Sequence, residues 1–176
     1  MKQIVVISGK GGTGKTVMTG AFASLAKNHV MADCDVDAAD LHLLLHPNIK
    51  DRHDFRSGLS ASIDKDLCIK CGKCISTCRF SAISNDFEID HVSCEGCGFC
   101  RHICPVGAIK MEENLAGEWF ISETRFGPMV HAKLGIAEEN SGKLVSLVRK
   151  QAKDLAEKGN YDWVLIDGAP GIGCPV

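Results

Sequence analysis

The feature that most restricts this chain is a doubled run of cysteines. Cys68, Cys71, Cys74 and Cys78 recur 26 residues later as Cys94, Cys97, Cys100 and Cys104, and Ala82-Ile83 recurs as Ala108-Ile109. The two runs hold eight of the ten cysteines in 176 residues. In a small secreted domain such a count would indicate disulfides. Here the N-terminal apolar run, Ile4 to Ile7, is too short for a signal peptide, and no stretch approaches the roughly 18 apolar residues of a membrane span. A soluble cytoplasmic protein is therefore expected, and tight cysteine clusters in such a chain point to metal.

Each run is spaced Cys-x2-Cys-x2-Cys-x3-Cys, and Pro105 follows the second. This spacing resembles that of the bacterial two-cluster ferredoxins, where three close cysteines wrap one cluster and the fourth ligates the other. The resemblance implies one [4Fe–4S] cluster on Cys68, Cys71, Cys74 and Cys104, and a second on Cys94, Cys97, Cys100 and Cys78. Thiolates suit iron–sulfur chemistry as soft, anionic donors. Gly72, Gly96 and Gly98 let the backbone bend closely around a cluster and turn N–H groups toward its sulfurs. A pair of structural zinc sites fits the doubled run with crossed fourth ligands poorly. One departure from the pattern stands out: Arg79, not proline, follows Cys78. A cation there is expected to raise the potential of the nearby cluster.

A second motif lies near the N-terminus. Gly9-Lys10-Gly11-Gly12-Thr13-Gly14-Lys15-Thr16 matches the phosphate-loop pattern G-x-x-x-x-G-K-[ST], between the strand-like run Ile4 to Ile7 and a helix starting near Lys15. Its glycines let N–H groups turn toward phosphate oxygens, and the helix N-terminus adds partial positive charge. Lys15 is expected to reach the β- and γ-phosphates of ATP, and the Thr16 hydroxyl to bind Mg²⁺.

With Lys10, this segment resembles the deviant Walker A motif of the MinD, ParA, Mrp and nitrogenase-iron-protein superfamily. The resemblance implies that Lys10 reaches the nucleotide of a second subunit, so that a homodimer forms around ATP. Asp33-Cys34-Asp35-Val36-Asp37 resembles switch I of that superfamily. It implies that Asp35 orients the attacking water and that Asp33 or Asp37 helps hold Mg²⁺ through water, although Asp37 could be only a helix cap. Leu165-Ile166-Asp167-Gly168-Ala169-Pro170-Gly171 resembles Walker B and switch II. Asp167 is then expected in the Mg²⁺ shell, and the Gly171 N–H at the γ-phosphate. Cys34 and Cys174 lie outside the doubled run. A small buried or free thiol is the preferred reading of both, with a ligand role for Cys174 as the alternative.

The order of these motifs along the chain resembles that of the MinD-superfamily ATPases containing an inserted ferredoxin domain. Strand-like runs at Ile4 to Ile7, His29 to Ala32 and Trp163 to Ile166 alternate with helical segments, the pattern of a parallel α/β sheet. The expected fold is a P-loop NTPase parallel sheet, incomplete at the C-terminus, with an inserted α+β ferredoxin-like module. The expected domains are 1–59, the first part of the ATPase; 60–112, the ferredoxin-like insertion; and 113–176, its continuation through switch II. Asn48 to Ser60 reads as a polar linker, and Trp119 to Ser122 with Met129 to Ala132 as a hairpin around Gly127-Pro128. On the first helix, Val17, Met18, Ala21, Phe22 and Leu25 form one apolar face.

A formal net charge of −2 gives no electrostatic reason to expect nucleic acid or an anionic membrane as partner. The function expected is coupling of ATP binding or hydrolysis to electron transfer through two [4Fe–4S] clusters, with a redox protein as partner. Two alternatives are an Mrp-type cluster carrier, with a cluster acceptor as partner, and a MinD-type nucleotide switch without redox chemistry. The chain also reads as the first part of a longer protein or a fragment of one, and is then an uncertain ATPase by itself.

Overall fold

A computed structural model describes residues 1–36, 38–135 and 141–169. The chain divides into two compact units. The first comprises Met1–Phe55, Gly117–Gly135 and the later described residues, and the second is built on Arg56–Ala116.

The elements of the first unit are β1 (Lys2–Val6), α1 (Lys15–Leu25), β2 (His29–Asp33), α2 (Leu41–Leu45) and the leading half of β3 (Asn48–Ile63). The trailing half of β4 (Ile109–Thr124), β5 (Gly127–Leu134), α5 (Ser141–Lys158) and β6 (Trp163–Asp167) complete it. The six strands take the order β1-β6-β2-β5-β4-β3. β6 pairs in parallel with both β1 and β2, which sets Val6 and Asp33 level with Asp167. β2 is buried along its whole length and also pairs in parallel with β5.

The expectation of a P-loop NTPase parallel sheet is corrected here, because the sheet is mixed. β4 runs antiparallel to β5, with Trp119 opposite Ala132 and Ser122 opposite Met129. A turn at Arg125 and Phe126 forces that direction, since a connection so short can only join antiparallel strands. The Thr124 hydroxyl closes the turn by donating to the Gly127 carbonyl (2.8 Å) and accepting from the Phe126 N–H (3.1 Å). Gly127-Pro128, read from sequence as the turn, instead opens β5, with Pro128 opposite Glu123.

Two other sequence expectations change. The stretch from Asn48 is a strand, not a linker. Partners distant in sequence hold it: Arg52 makes a forked pair with Glu118 (2.8 and 2.6 Å), and His53 stacks on Trp119 with ring centroids 4.1 Å apart. On α1 the apolar face is the outer one, with Val17, Met18, Phe22 and Leu25 all exposed. The buried positions are Lys15, Thr19 and Ala23. Ala23 joins Met31, Leu41, Leu45, Met129 and Leu165 in the core, and Thr19 faces a carboxylate. In the strand-like run Ile4 to Ile7, both end residues are exposed, and Ile7 lies just past the end of β1. Leu144, Val145, Val148, Ala152 and Ala156 form the buried stripe of α5, which packs on β2 and β5.

The second unit contains the trailing half of β3, α3 (Lys73–Thr77), α4 (Phe99–Ile103) and the leading half of β4. Its core joins Ala61, Cys74, Ile83 and Ile109. Among the described residues no helix is long and apolar enough to cross a membrane.

Candidate functional site

The cysteine repeat is also a repeat of backbone conformation. Helices α3 and α4 occupy equivalent places, each entered through a left-handed glycine, Gly72 (φ 75°) and Gly98 (φ 71°). They are left through Cys78 (φ −69°, ψ 110°) and Cys104 (φ −71°, ψ 113°). Lys70 and Gly96 are a second left-handed pair, and Ser81 and Gly107 a third. Gly96 is required twice over: its φ is +61°, and a Cβ there would collide with the Leu59 carbonyl, its carbon 2.9 Å away.

Hydrogen bonds exchange between the halves in the same pattern. The Asp64 N–H donates to the Ala108 carbonyl and the Asp90 N–H to the Ala82 carbonyl, both at 2.8 Å. The Asp64 and Asp90 side chains each accept from the N–H two residues on, at Asp66 and Val92 (both 3.1 Å). Such an exchange carries the end of each run across to the start of the other. Cys78 accordingly lines one cavity with Cys94, Cys97 and Cys100, and Cys104 lines another with Cys68, Cys71 and Cys74.

These two quartets fit a pair of iron–sulfur clusters by donor type and by number. All eight cysteines are free thiols, and none is paired in a disulfide. The cavities differ in room, at about 520 Å³ for the quartet with Cys78 and about 20 Å³ for the quartet with Cys104. Among the described residues no three ligating side chains converge on a single metal point, and a cubane cluster does not need them to, since each thiolate ligates a different iron. Cys104 is prepared for the anionic form. Burial opposes its ionisation, but N–H groups from Val106 to Ile109 gather on its sulfur and hold the thiol below its usual range. The Ala108 N–H lies 3.3 Å from that sulfur. Burial pushes the Cys74 and Cys100 thiols up, a cost that iron coordination would remove.

The first unit gathers a different chemistry at the ends of β2 and β6. Gly12 (φ 75°) and Gly14 (φ 82°) turn the loop into α1, which starts with no side-chain cap, leaving its first N–H groups for another acceptor. No neighbour lies within 4 Å of a Cβ built at Gly9, Gly11, Gly12 or Gly14, and Lys10 is exposed. Thr13 is exposed and Thr16 half-buried. Lys15 does not extend along the loop. Its Nζ donates to Asp167 Oδ1 (2.9 Å) and to Asp35 Oδ2 (3.1 Å), with all three side chains nearly buried. Burial opposes the Lys15 charge, but Asp167 and then Asp35 outweigh it and raise its pKa. Thr19, which carries no motif signature, is fully buried and donates to both Asp167 Oδ1 (3.1 Å) and the Lys15 carbonyl (3.0 Å).

Asp33 is fully buried beside this group, and its Oδ1 accepts from the Asp35 N–H (3.2 Å). Burial first, and the neighbouring Asp167 second, push its carboxyl up to about 8. Asp33 Oδ2 and Asp167 Oδ2 are buried with no hydrogen-bond partner. Two orphaned carboxylate oxygens beside a Thr-bearing loop are a donor set that fits a hard, oxygen-liganded cation such as Mg²⁺. Cys34 is buried between these aspartates, with its thiol pushed up to about 12, so it is an inert packing residue. Asp37, Gly171 and Cys174 lie outside the described residues.

Comparison with known proteins gives the cysteine unit its family. Residues 61–111 match the family model for the 4Fe-4S dicluster domain. Over 182 aligned residues the chain is 38% identical to the uncharacterized protein MJ0578 of Methanocaldococcus jannaschii, covering 99% of this chain and 62% of that relative. The chain thus spans 62% of that relative's length. The pyruvate synthase subunit PorD of Methanothermobacter marburgensis is 52% identical over 52 residues, which are 30% of this chain and 64% of PorD. The polyferredoxin protein MvhB of Methanothermobacter thermautotrophicus is 41% identical over 59 residues, 32% of this chain and 14% of MvhB.

These matches correct the expected assignment to the MinD-superfamily ATPases with an inserted ferredoxin domain. The full-length relative is uncharacterized, and the family model and the named relatives are ferredoxin-like. The glycine-lysine loop and the two aspartate segments that suggested the assignment are short local signals, whereas the matched domain extends over 51 residues. Residues 61–111 are an iron–sulfur, 4Fe–4S-binding ferredoxin-like domain of the electron-transfer type.

Proposed function

We propose that the chain holds two [4Fe–4S] clusters, one on Cys68, Cys71, Cys74 and Cys104 and one on Cys78, Cys94, Cys97 and Cys100, and that a nucleoside triphosphate with Mg²⁺ at Gly9–Thr16 gates electron transfer through them. The observation that carries the first part is the sorting of eight cysteines into two cavities with crossed fourth members. When bound, such clusters pass single electrons and do little bond chemistry. The protein's own residues supply thiolates, N–H donors to sulfur and an apolar wall.

The nucleotide part rests on the open loop, the uncapped start of α1 and the orphaned oxygens of Asp33 and Asp167. Lys15 is held where a cation is needed. Phosphate oxygens would draw its Nζ away, and Mg²⁺ would replace it at Asp167, with Thr16 as a further ligand. Asp35, once freed from Lys15, would orient a water. Lys10, exposed at the loop, is the residue that could serve the nucleotide of a second copy. The proposed setting is the cytoplasm, and the proposed partner is a redox protein, since a relative of the cysteine unit is named as a subunit of pyruvate synthase.

The test has two arms on anaerobically purified protein. Iron and sulfide analysis should give about eight of each per chain, as two cubane clusters imply. MgATP should bind to the parent and lose affinity in Thr16→Ala. Zinc in place of iron would overturn the redox reading, and equal binding by parent and Thr16→Ala would overturn the nucleotide site.

A further inference from the structure

The two halves of the second unit match in backbone but not in charge. At the place of Pro105 stands Arg79, and at the place of Ile69 stands Glu95. Both line the cavity shared by Cys78, Cys94, Cys97 and Cys100. Both are exposed, and among the described residues neither is joined in an ion pair. The other cavity has a single cation in its wall, Lys73, whose repeat-equivalent is the uncharged Phe99.

We propose that Arg79 sets the reduction potential of the cluster on Cys78, Cys94, Cys97 and Cys100, with Glu95 opposing it across the same cavity. This rests on the reading of that quartet as a cluster site. Taking up an electron makes a thiolate-bound cluster more negative by one charge. A nearby cation therefore stabilises the reduced form and raises the potential, and an anion lowers it. Arg79 follows a ligand directly, and among the described residues no salt bridge consumes its charge. Arg79 and Glu95 are both exposed, so the effect is screened and weakens with salt. The two clusters then titrate as two couples, each answering to its own neighbours.

The experiment is an anaerobic redox titration followed by EPR, on parent, Arg79→Gln, Arg79→Lys, Arg79→Pro and Glu95→Gln. Arg79→Pro restores the repeat residue, and ψ 110° at Cys78 already suits a following proline. One couple should move down in Arg79→Gln and Arg79→Pro, return in Arg79→Lys, and move up in Glu95→Gln. The other couple should stay in place, and the shifts should shrink at high salt. The inference is overturned if neither couple moves, if both move together, or if Arg79→Lys behaves as Arg79→Gln. Iron analysis separates the two levels: full iron with immobile couples rejects the role of Arg79 alone, whereas a parent without two clusters rejects the cluster reading beneath it.

Discussion

Replacing Lys15 by alanine tests whether the charge cluster at the ends of β2 and β6 is a structural unit, apart from the binding role proposed for it. Lys15 Nζ is 2.9 Å from Asp167 and 3.1 Å from Asp35, and the three side chains are only 6%, 1% and 10% exposed. Asp33 lies beside them, fully buried. Lys15→Ala leaves the carboxylates of Asp35 and Asp167 with no cation, while Asp33, its carboxyl pushed up to about 8, carries its proton at neutral pH. Removing one partner of a buried pair costs about 3–5 kcal/mol, because the remaining charge stays uncompensated. Both tryptophans, Trp119 and Trp163, belong to the first unit, so their fluorescence during urea unfolding reports on it alone. With a slope of about 1–3 kcal/mol per molar urea, the midpoint should fall by roughly 1 M or more. Lys15→Met combined with Asp35→Asn and Asp167→Asn should recover most of the loss, since no buried charge is then stranded. A Lys15→Ala midpoint equal to the parent's would refute the reasoning. The expected loss also bears on nucleotide binding: failure of Lys15→Ala to bind ATP cannot by itself be assigned to a lost phosphate contact, and Thr16→Ala is the cleaner variant.

Three further outcomes follow from the geometry. Gly96→Ala should lower the iron content by about half, because the added Cβ meets the Leu59 carbonyl and φ +61° is strained for alanine; unchanged iron would show that the loop can shift freely. Cys104→Ser should alter the EPR signal of the cluster on Cys68, Cys71 and Cys74 and spare the other, while Cys78→Ser does the converse; damage to the cluster of its own run would disprove the crossed ligands. His131 is buried, bonded to Ser122 (2.8 Å) and held neutral, with a pKa lowered to about 4 by burial and then by His42. Its folded pKa is depressed, so its contribution is present above pH ~6.5, the unfolded value, and is lost as pH falls through about 4. The tryptophan-detected stability should therefore drop between those limits, and His131→Gln should flatten the drop; an equal drop in both proteins would place the acid sensitivity elsewhere.

Local features were legible in the sequence, and long-range pairings were not. The cysteine spacing announced the dicluster domain because each run encodes its own local geometry, down to left-handed turns at Gly72 and Gly98. The strands His29 to Ala32 and Trp163 to Ile166 were legible as short, largely apolar runs, each ending at an aspartate. By contrast, β3 owes its existence to Glu118 and Trp119, more than sixty residues away, and so read as a polar linker. The face of α1 was misjudged for a related reason. Its apolar stripe is genuine, but the buried side is chosen by Asp167, which engages Lys15 and Thr19 across the sequence. Thr19 could have been found only by noting that it lies one helical turn after Lys15, on the same face. The antiparallel pairing of β4 with β5 was legible as the hairpin of Trp119 to Ser122 with Met129 to Ala132, and only its turn was misplaced, because the Thr124 side chain closes it ahead of Gly127. The family assignment drawn from the loop and the two aspartate segments was overturned because such short segments leave the surrounding chain undetermined.

The most direct test of the central claim is EPR of the dithionite-reduced protein, recorded anaerobically with and without MgATP. Coupling predicts signals from two [4Fe–4S] clusters whose line shape or midpoint changes when MgATP is added, with the change absent in Thr16→Ala. Two full clusters whose spectra and potentials are indifferent to MgATP would contradict it, leaving a ferredoxin domain that operates without reference to the loop at Gly9–Thr16.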